Sequence, residues 1–208
     1  MAPVIYERCF WEQQHLVAGI DEAGRGCLAG PVVVAAVVLS PNDIELATSV
    51  NDSKILRPSV REELFAAITQ SAIEWNVTLA DVALIEERNI LRATLEAMRG
   101  AVEALRTPIA HVFVDGPVAP PLSIPATAIV SGDRCCASVA AASIVAKVIR
   151  DRIMVELAQQ YPEYGFDRHK GYATREHFHA LEQWGPTREH RMAFLRKWRQ
   201  RSAQQHLL

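Results

Sequence analysis

One stretch constrains this chain more than any other: Val17-Ala-Gly-Ile-Asp21-Glu22, an apolar run that ends in two adjacent carboxylates. His15 to Asp21 reads as a short strand, and Val32-Val-Val-Ala-Ala-Val-Val-Leu39 is a β-branched run long enough for a central one. Gly30-Pro31 breaks the chain between them, and so short a connection favours an antiparallel hairpin. The connection is itself unusual. Ala23, Gly24, Gly26 and Cys27 are small, so a ligand can approach the backbone, and Arg25 is a fixed cation among them. Acid pair, glycines and arginine together suggest metal ions meeting a phosphate.

Two later segments repeat the pattern. Ile109-Ala-His-Val-Phe-Val-Asp115-Gly116 is a strand running into an acid, and Ala126 to Val130 is a short strand followed by Ser131-Gly132-Asp133. Helices lie between. Pro58 and Ser59 open one, with Ser59-x-x-Glu62 fitting a capping box and Leu64, Ala67, Ile68 and Ala72 on its apolar face. Trp75 to Leu79 reads as a strand, with Val77 and Leu79 on one face, and Asp81 to Glu87 as a short turn or helix. Asn89 caps a longer helix whose Ile90, Leu91, Leu95, Met98, Val102 and Leu105 recur at helical spacing. A long helix runs from Ala137 to about Gln159, alanine-rich at first, so its first turns can press close to a sheet or a metal site.

Gly165 to Tyr172 reads as a loop, Thr174 caps a helix closed by Trp184-Gly185-Pro186, and the tail from Arg188 is expected to be helical to about Gln200. The resulting fold class is α/β, a mixed central sheet flanked by helices with a C-terminal helical extension. Strands ending in aspartate with helices between them predict a parallel pair whose acids share the carboxyl edge, where open α/β sheets bind ligands.

Charge supports an anionic partner. From Lys147 onward there are twelve Lys and Arg against seven Asp and Glu, whereas the first 146 residues hold ten against seventeen. The basic end, densest from Arg188 to Arg201, reads either as a solvated helix face or as a surface that tracks phosphates. No apolar run approaches the ~20 residues of a membrane span. Glu7, Arg8 and Glu12 stand where a signal peptide would be basic and then apolar. Cysteines 9, 27, 135 and 136 suggest neither a disulfide framework nor a metal site, so a reduced, cytoplasmic protein is expected. His177-x-His179 is the one close histidine pair, and on a helix its members point to different faces, which disfavours zinc.

Asp21, Glu22, Asp115 and Asp133 are four carboxylates at the ends of apolar segments. Gathered without cations they would repel and raise one another's pKa values. Two divalent ions neutralise four such charges, and hard oxygen ligands suit Mg2+ or Mn2+. Taken singly, Asp115 and Asp133 also read as turn formers.

The ordered motifs point further. Asp21-Glu-Ala-Gly-Arg-Gly26, Leu28-Ala-Gly-Pro31 and the valine run resemble the opening signature of ribonuclease HII, the type 2 ribonuclease H. Asp52-Ser-Lys54, Asn89-Ile90, Val114-Asp-Gly116, Gly132-Asp133, Ala140 to Lys147, Arg150-Asp151, His169-Lys-Gly-Tyr172, Gly185-Pro186 and His190-Arg191 follow in family order.

The resemblance implies a single ribonuclease H-like catalytic domain over residues 1–208, with a core of about 15–160 and a basic, substrate-binding helical part from about 161. It implies a metal-dependent endoribonuclease that hydrolyses RNA in RNA:DNA hybrids and cuts 5′ to a ribonucleotide embedded in duplex DNA, leaving 3′-hydroxyl and 5′-phosphate ends. Asp21, Glu22, Asp115 and Asp133 would be the catalytic, metal-binding acids. Gly24, Arg25 and Gly26 would read the ribose 2′-hydroxyl, the group that distinguishes RNA from DNA.

Tyr172 would stack beside the deoxyribose after the junction; without the family it reads as an ordinary half-buried loop aromatic. Lys54, Lys147, Lys170 and Arg191 are candidate phosphate contacts. Ser143 fits binding or small-residue packing equally. A monomer with no obligatory protein partner is expected.

This chain departs from the family pattern at Ile55, where many relatives carry a second lysine, and at Arg134-Cys135-Cys136. Gln204 to Leu208 resembles a sliding-clamp peptide only weakly, lacks its aromatic ending, and reads as a frayed tail. The alternatives are a type 3 ribonuclease H, a junction resolvase and a non-catalytic nucleic-acid binder. The glycine loop, Tyr172 and the short N-terminus argue against the first two, and four intact acids against the third.

Overall fold

The computed structural model describes residues 4–54, 56–196 and 198. Ile55 and the end of the basic tail, including Gln204 to Leu208, lie outside the described residues. The chain runs α1 (Ile5–Trp11), β1 (Val17–Ala23), β2 (Val32–Val38), α2 (Ile44–Ser49), α3 (Pro58–Ser71), β3 (Glu74–Ala80), α4 (Val82–Arg88), α5 (Ile90–Glu103), β4 (His111–Asp115), β5 (Ala126–Ile129), α6 (Ala137–Gln160), α7 (Phe166–His169) and α8 (Arg175–Trp184). One sheet is ordered β3-β2-β1-β4-β5. The β1–β2 and β2–β3 pairs are antiparallel, whereas β1–β4 and β4–β5 are parallel.

Two apolar layers sandwich the sheet. On β2, Val33, Ala35 and Val37 face α6, α3 and α2, while Val32, Val34 and Ala36 face α4 and α5. Every residue of β2 is buried, which is why its sequence is a continuous apolar run without polar alternation. The α6 helix packs closest, and its first ten residues, Ala137 to Ala146, are all buried. A Cβ on Gly19 of β1 would lie 2.0 Å from the Ser138 carbonyl carbon, so helix and strand can touch backbone to backbone only with glycine there. Beyond the sheet, Leu28, Ala29, Met154, Tyr164, Phe166, Leu181 and Leu195 form a smaller core that binds the C-terminal segments to α6.

Several expectations change. The Ser59-x-x-Glu62 box does not form: α3 begins at Pro58 after Arg57 with no side-chain cap, and Glu62 pairs instead with Arg152 at 2.7 Å. Leu91 is 42% exposed, and the packed stripe of α5 is Ala93, Thr94, Ala97, Met98, Ala101 and Val102. Gly165 to Tyr172 contains the one-turn α7. Residues 188–195 are not helical, because His190 pairs with Ala29 as an antiparallel bridge and Arg191 N–H donates to the Leu28 carbonyl. No described helix is long and apolar enough to cross a membrane.

Candidate active site

The parallel pairing of β1 and β4 delivers the acids to one edge. Ile20 is level with Val114, so Asp21 and Asp115 emerge side by side where the β1–β4 pairing ends, while β1 runs on beside β2 to Ala23. A cleft of about 190 Å³ lies there, lined by Asp21, Glu22, Asp115, Gly24, Arg25, Gly26, Ser53, Lys54, Ser143, Lys147 and Tyr172. Asp133 sits in the 3-10 turn Gly132–Arg134 after β5 and meets the cleft through Lys54, whose Nζ is 3.3 Å from its Oδ2. That turn is locked onto Asp115, whose Oδ1 accepts the Gly132 N–H at 2.7 Å.

Asp21 is the most deeply buried of the four. It is 2% exposed, and its Oδ1 accepts the Glu22 N–H at 2.6 Å. Ser143 lies beside it and shares a 2.8 Å hydrogen bond with Ser53 Oγ, and Asp21 Oδ2 is buried without a hydrogen-bond partner. Burial, then Glu22 and Asp115, push its pKa well above the ordinary carboxylate range. Burial also raises Glu22, against the pull of Arg25, whose Nη1 is 3.5 Å from Oε1. Asp133 is raised by burial and by Asp115 against the opposing charge of Lys54. On Lys54, burial works against the charge but Asp21, Asp133 and Asp52 outweigh it and raise the pKa.

Among the described residues no three acids, histidines or cysteines are already placed to hold one metal ion. The carboxylates share the cleft with a lysine as their compensating cation. A buried, partnerless oxygen amid hard oxygen donors of like charge is nevertheless the environment a divalent cation would relieve.

The recognition candidates divide. Gly24 is held by the protein itself: it has φ +92°, and a Cβ there would lie 1.8 Å from Arg150 Nε. Gly26 is different, since a Cβ there would meet nothing within 4 Å. Its side of the loop faces open space beside the exposed Arg25. Tyr172 keeps a free face, 43% exposed. Burial, with Cys27 alongside, raises its hydroxyl pKa, and Lys147 Nζ and Arg150 Cζ each stand 6.0 Å from its ring centre.

Lys147 bonds Asp151 at 2.6 Å and reaches both the cleft and a wider groove of about 720 Å³ between α3 and α6. Lys170 lines only that groove and donates to the Asp167 carbonyl.

Arg191 is a correction. It is fully buried and donates to the Gly30 carbonyl at 3.0 and 2.7 Å and to the Arg25 carbonyl at 2.9 Å. Burial lowers its pKa to about 10. Such a side chain braces the loop from behind and presents nothing to a phosphate.

Three features escaped the sequence reading. Arg150, also fully buried, holds the Ala29, Pro31 and Lys170 carbonyls. Asp52 accepts the Lys54 N–H at 2.9 Å and both Arg134 Nε and Nη2 at 3.3 Å; burial opposes its charge, but these partners hold its pKa below the usual value. The departure at Arg134 therefore belongs to the loop that carries Lys54. Both residues stood inside recognised motifs, Asp52-Ser-Lys54 and Arg150-Asp151, which was the available signal. The third is a buried cluster of His169, His177 and His190. His177 faces inward and His179 outward, so the pair forms no metal site.

A mixed sheet with α6 across it, and acids at the carboxyl edge of its central strands, define the class: a ribonuclease H-like α/β nuclease. The family model described as Ribonuclease HII matches residues 18–199. A ribonuclease HII of Acidovorax sp. strain JS42 is 51% identical over 184 residues, covering 88% of this chain and 87% of that protein. The crystal structure of ribonuclease H2 from Pyrococcus horikoshii OT3 superposes with a TM-score of 0.76 at 30% identity, over 90% of this chain and 99% of that one. More distantly, Bst-RNase HIII in complex with Mn2+ shares the fold, with a TM-score of 0.70 at 18% identity over 86% of this chain and 64% of that one. The chain belongs to the ribonuclease HII family, whose activity is cleavage of RNA in RNA:DNA hybrids and removal of ribonucleotides from DNA.

Proposed function

We propose that Asp21, Glu22, Asp115 and Asp133 hold two divalent cations, Mg2+ or Mn2+, and that the chain incises 5′ to single ribonucleotides in duplex DNA as well as within hybrids. Bound there, such a pair supplies activation of a water and stabilisation of the leaving oxygen of a phosphodiester. The observation that carries this reading is Asp21: a buried carboxylate with one partnerless oxygen, raised in pKa, beside two further acids. The Mn2+ complex of Bst-RNase HIII is consistent with that chemistry on the same fold.

The chain's own residues then divide the work. Lys54, poised between Asp133 and Asp52, neutralises the acids before substrate arrives and is free to turn to a phosphate afterwards. Arg25 holds the phosphate next to the junction, while the open backbone at Gly26 reaches the ribose 2′-hydroxyl. The exposed ring of Tyr172 stacks on the following deoxyribose, where a second 2′-hydroxyl would clash. Lys147 and Lys170 carry flanking phosphates. The products are 3′-hydroxyl and 5′-phosphate ends, and the protein works as a cytoplasmic monomer.

The test is incubation with a duplex carrying one ribonucleotide, an all-DNA duplex and an RNA:DNA hybrid, with and without Mg2+. Incision 5′ of the lone ribonucleotide, dependent on Mg2+ and lost in Asp21→Asn, is expected. Tight binding of all three duplexes without metal-dependent cutting would overturn the reading.

A further inference from the structure

Three histidines of the C-terminal part, His169, His177 and His190, meet behind Tyr172. His169 and His177 stack with ring centres 4.5 Å apart, and His177 Nε2 lies 3.0 Å from His190 Nε2. They are 8%, 0% and 1% exposed, and each of their hydrogen-bond partners is a backbone group, Thr187 or another member of the cluster. No step of the proposed hydrolysis uses them.

Their partners fix where each proton lies. The Tyr172 carbonyl, 2.9 Å from His177 Nδ1, can only accept, so that nitrogen carries the hydrogen and Nε2 of a neutral ring is bare. The Thr187 N–H, 2.9 Å from His190 Nδ1, can only donate, so His190 carries its hydrogen on Nε2. The 3.0 Å contact is therefore His190 Nε2–H donating to His177 Nε2. By the same logic His169 donates from Nε2 to the Tyr164 carbonyl at 2.7 Å and accepts the Gly171 N–H on Nδ1 at 3.2 Å. One arrangement of neutral tautomers satisfies every bond.

The chain of bonds joins the two recognition elements. At one end is the backbone of Gly171 and Tyr172. At the other, His190 forms the bridge with Ala29, the Gly30 N–H donates to the Glu189 carbonyl, and Arg191 holds the carbonyls of Arg25 and Gly30. Gly171 completes the circuit by accepting the Leu28 N–H at 2.8 Å.

We propose that His177 and His190 are positioning residues for junction recognition: their imidazole relay holds Tyr172 at a fixed distance from the Gly24-Arg25-Gly26 loop, so discrimination between substrates depends on them more than hydrolysis does. This rests on the stacking role given to Tyr172 above.

The experiment compares kcat/KM on a single-ribonucleotide duplex with kcat/KM on a continuous RNA:DNA hybrid, for wild type, Tyr172→Ala, His177→Phe, His177→Asn and the Tyr172→Ala/His177→Phe double variant. Phenylalanine keeps the ring volume and loses both bonds, whereas asparagine can still donate to the Tyr172 carbonyl. The single-ribonucleotide to hybrid ratio should fall by about tenfold in His177→Phe, the scale of one buried hydrogen bond. Asparagine should recover part of it, and the double variant should fall no further than Tyr172→Ala alone. Long-range 1H–15N spectra of wild type should show hydrogens on His177 Nδ1 and on His190 and His169 Nε2.

If Tyr172→Ala lowers the ratio but neither folded His177 variant does, or if the losses add in the double variant, the relay has no positioning role. An unchanged ratio in Tyr172→Ala overturns the stacking reading itself, and this inference with it.

Discussion

Removing the charge of Asp21 should stabilise the metal-free protein while abolishing its activity. In the wild type a carboxylate that is 2% exposed keeps one oxygen without a partner and faces the charges of Glu22 and Asp115. A buried unsatisfied polar group costs about 1–3 kcal/mol, more when charged. Asp21→Asn keeps a polar atom there but removes the buried charge and its repulsion with Glu22 and Asp115, so a gain of about 1–3 kcal/mol is expected at pH 8 in EDTA. For a chain of this size that corresponds to a Tm rise of about 2–4 °C per kcal/mol.

The sign follows from the direction of the shift. Asp21 is raised above 3.8 in the folded state, so between 3.8 and that raised value the folded state binds more protons than the unfolded one. Wild-type stability therefore falls as pH rises through that window. The advantage of the variant should shrink as pH is lowered and vanish near pH 4. Mg2+ should reverse the order, since a ligand at 100 times its Kd adds about 2.7 kcal/mol to the protein that binds it. Thermal unfolding by circular dichroism from pH 4 to 8, with EDTA or Mg2+, measures all of this. A variant no more stable than wild type at pH 8 in EDTA, or a gap that ignores pH, would refute the reasoning.

Gly24→Ala should destabilise markedly, because it places a Cβ in the Arg150 side chain at positive φ, whereas Gly26→Ala should melt like wild type yet lose activity. Melting curves and turnover on the two variants check this. Arg191→Met should cost about 3 kcal/mol through three lost bonds to carbonyls, with an unchanged salt slope of substrate binding. Lys147→Ala should instead reduce that slope by about one, as a lost phosphate contact does. Tyr172→Ala should lose more activity on a single-ribonucleotide duplex than on a long hybrid, and equal losses would remove its stacking role.

What the sequence made legible was local. Asp21 and Asp115 announce themselves because each ends an apolar run, and the parallel β1–β4 pair follows from helices lying between them. Asn89 was readable as a cap because its side chain accepts from the N–H groups of Leu91 and Arg92, two and three residues on. What was illegible depends on distant partners. The α1 helix is anchored by Glu7, whose Oε1 accepts the Ser138 N–H in the first turn of α6 at 2.7 Å, a cap supplied from 131 residues away. Residues 188–195 carry helix-compatible side chains, but the bridge to Ala29 holds them otherwise. Arg191 looks like any basic tail residue until the carbonyls of Arg25 and Gly30 are seen around it. Nothing in the spacing of His169, His177 and His190 reports that they stack in three dimensions.

The most direct test of the four-acid site is to count the ions it holds. Electron paramagnetic resonance titration of Mn2+ into the protein, saturated with a single-ribonucleotide duplex made uncleavable at the scissile phosphate, should give two ions for wild type. Asp115→Asn and Asp133→Asn should each lower that count or weaken it by at least tenfold, about 1.4 kcal/mol. Stoichiometry and affinity left unchanged by both substitutions would place the metals elsewhere and contradict the account.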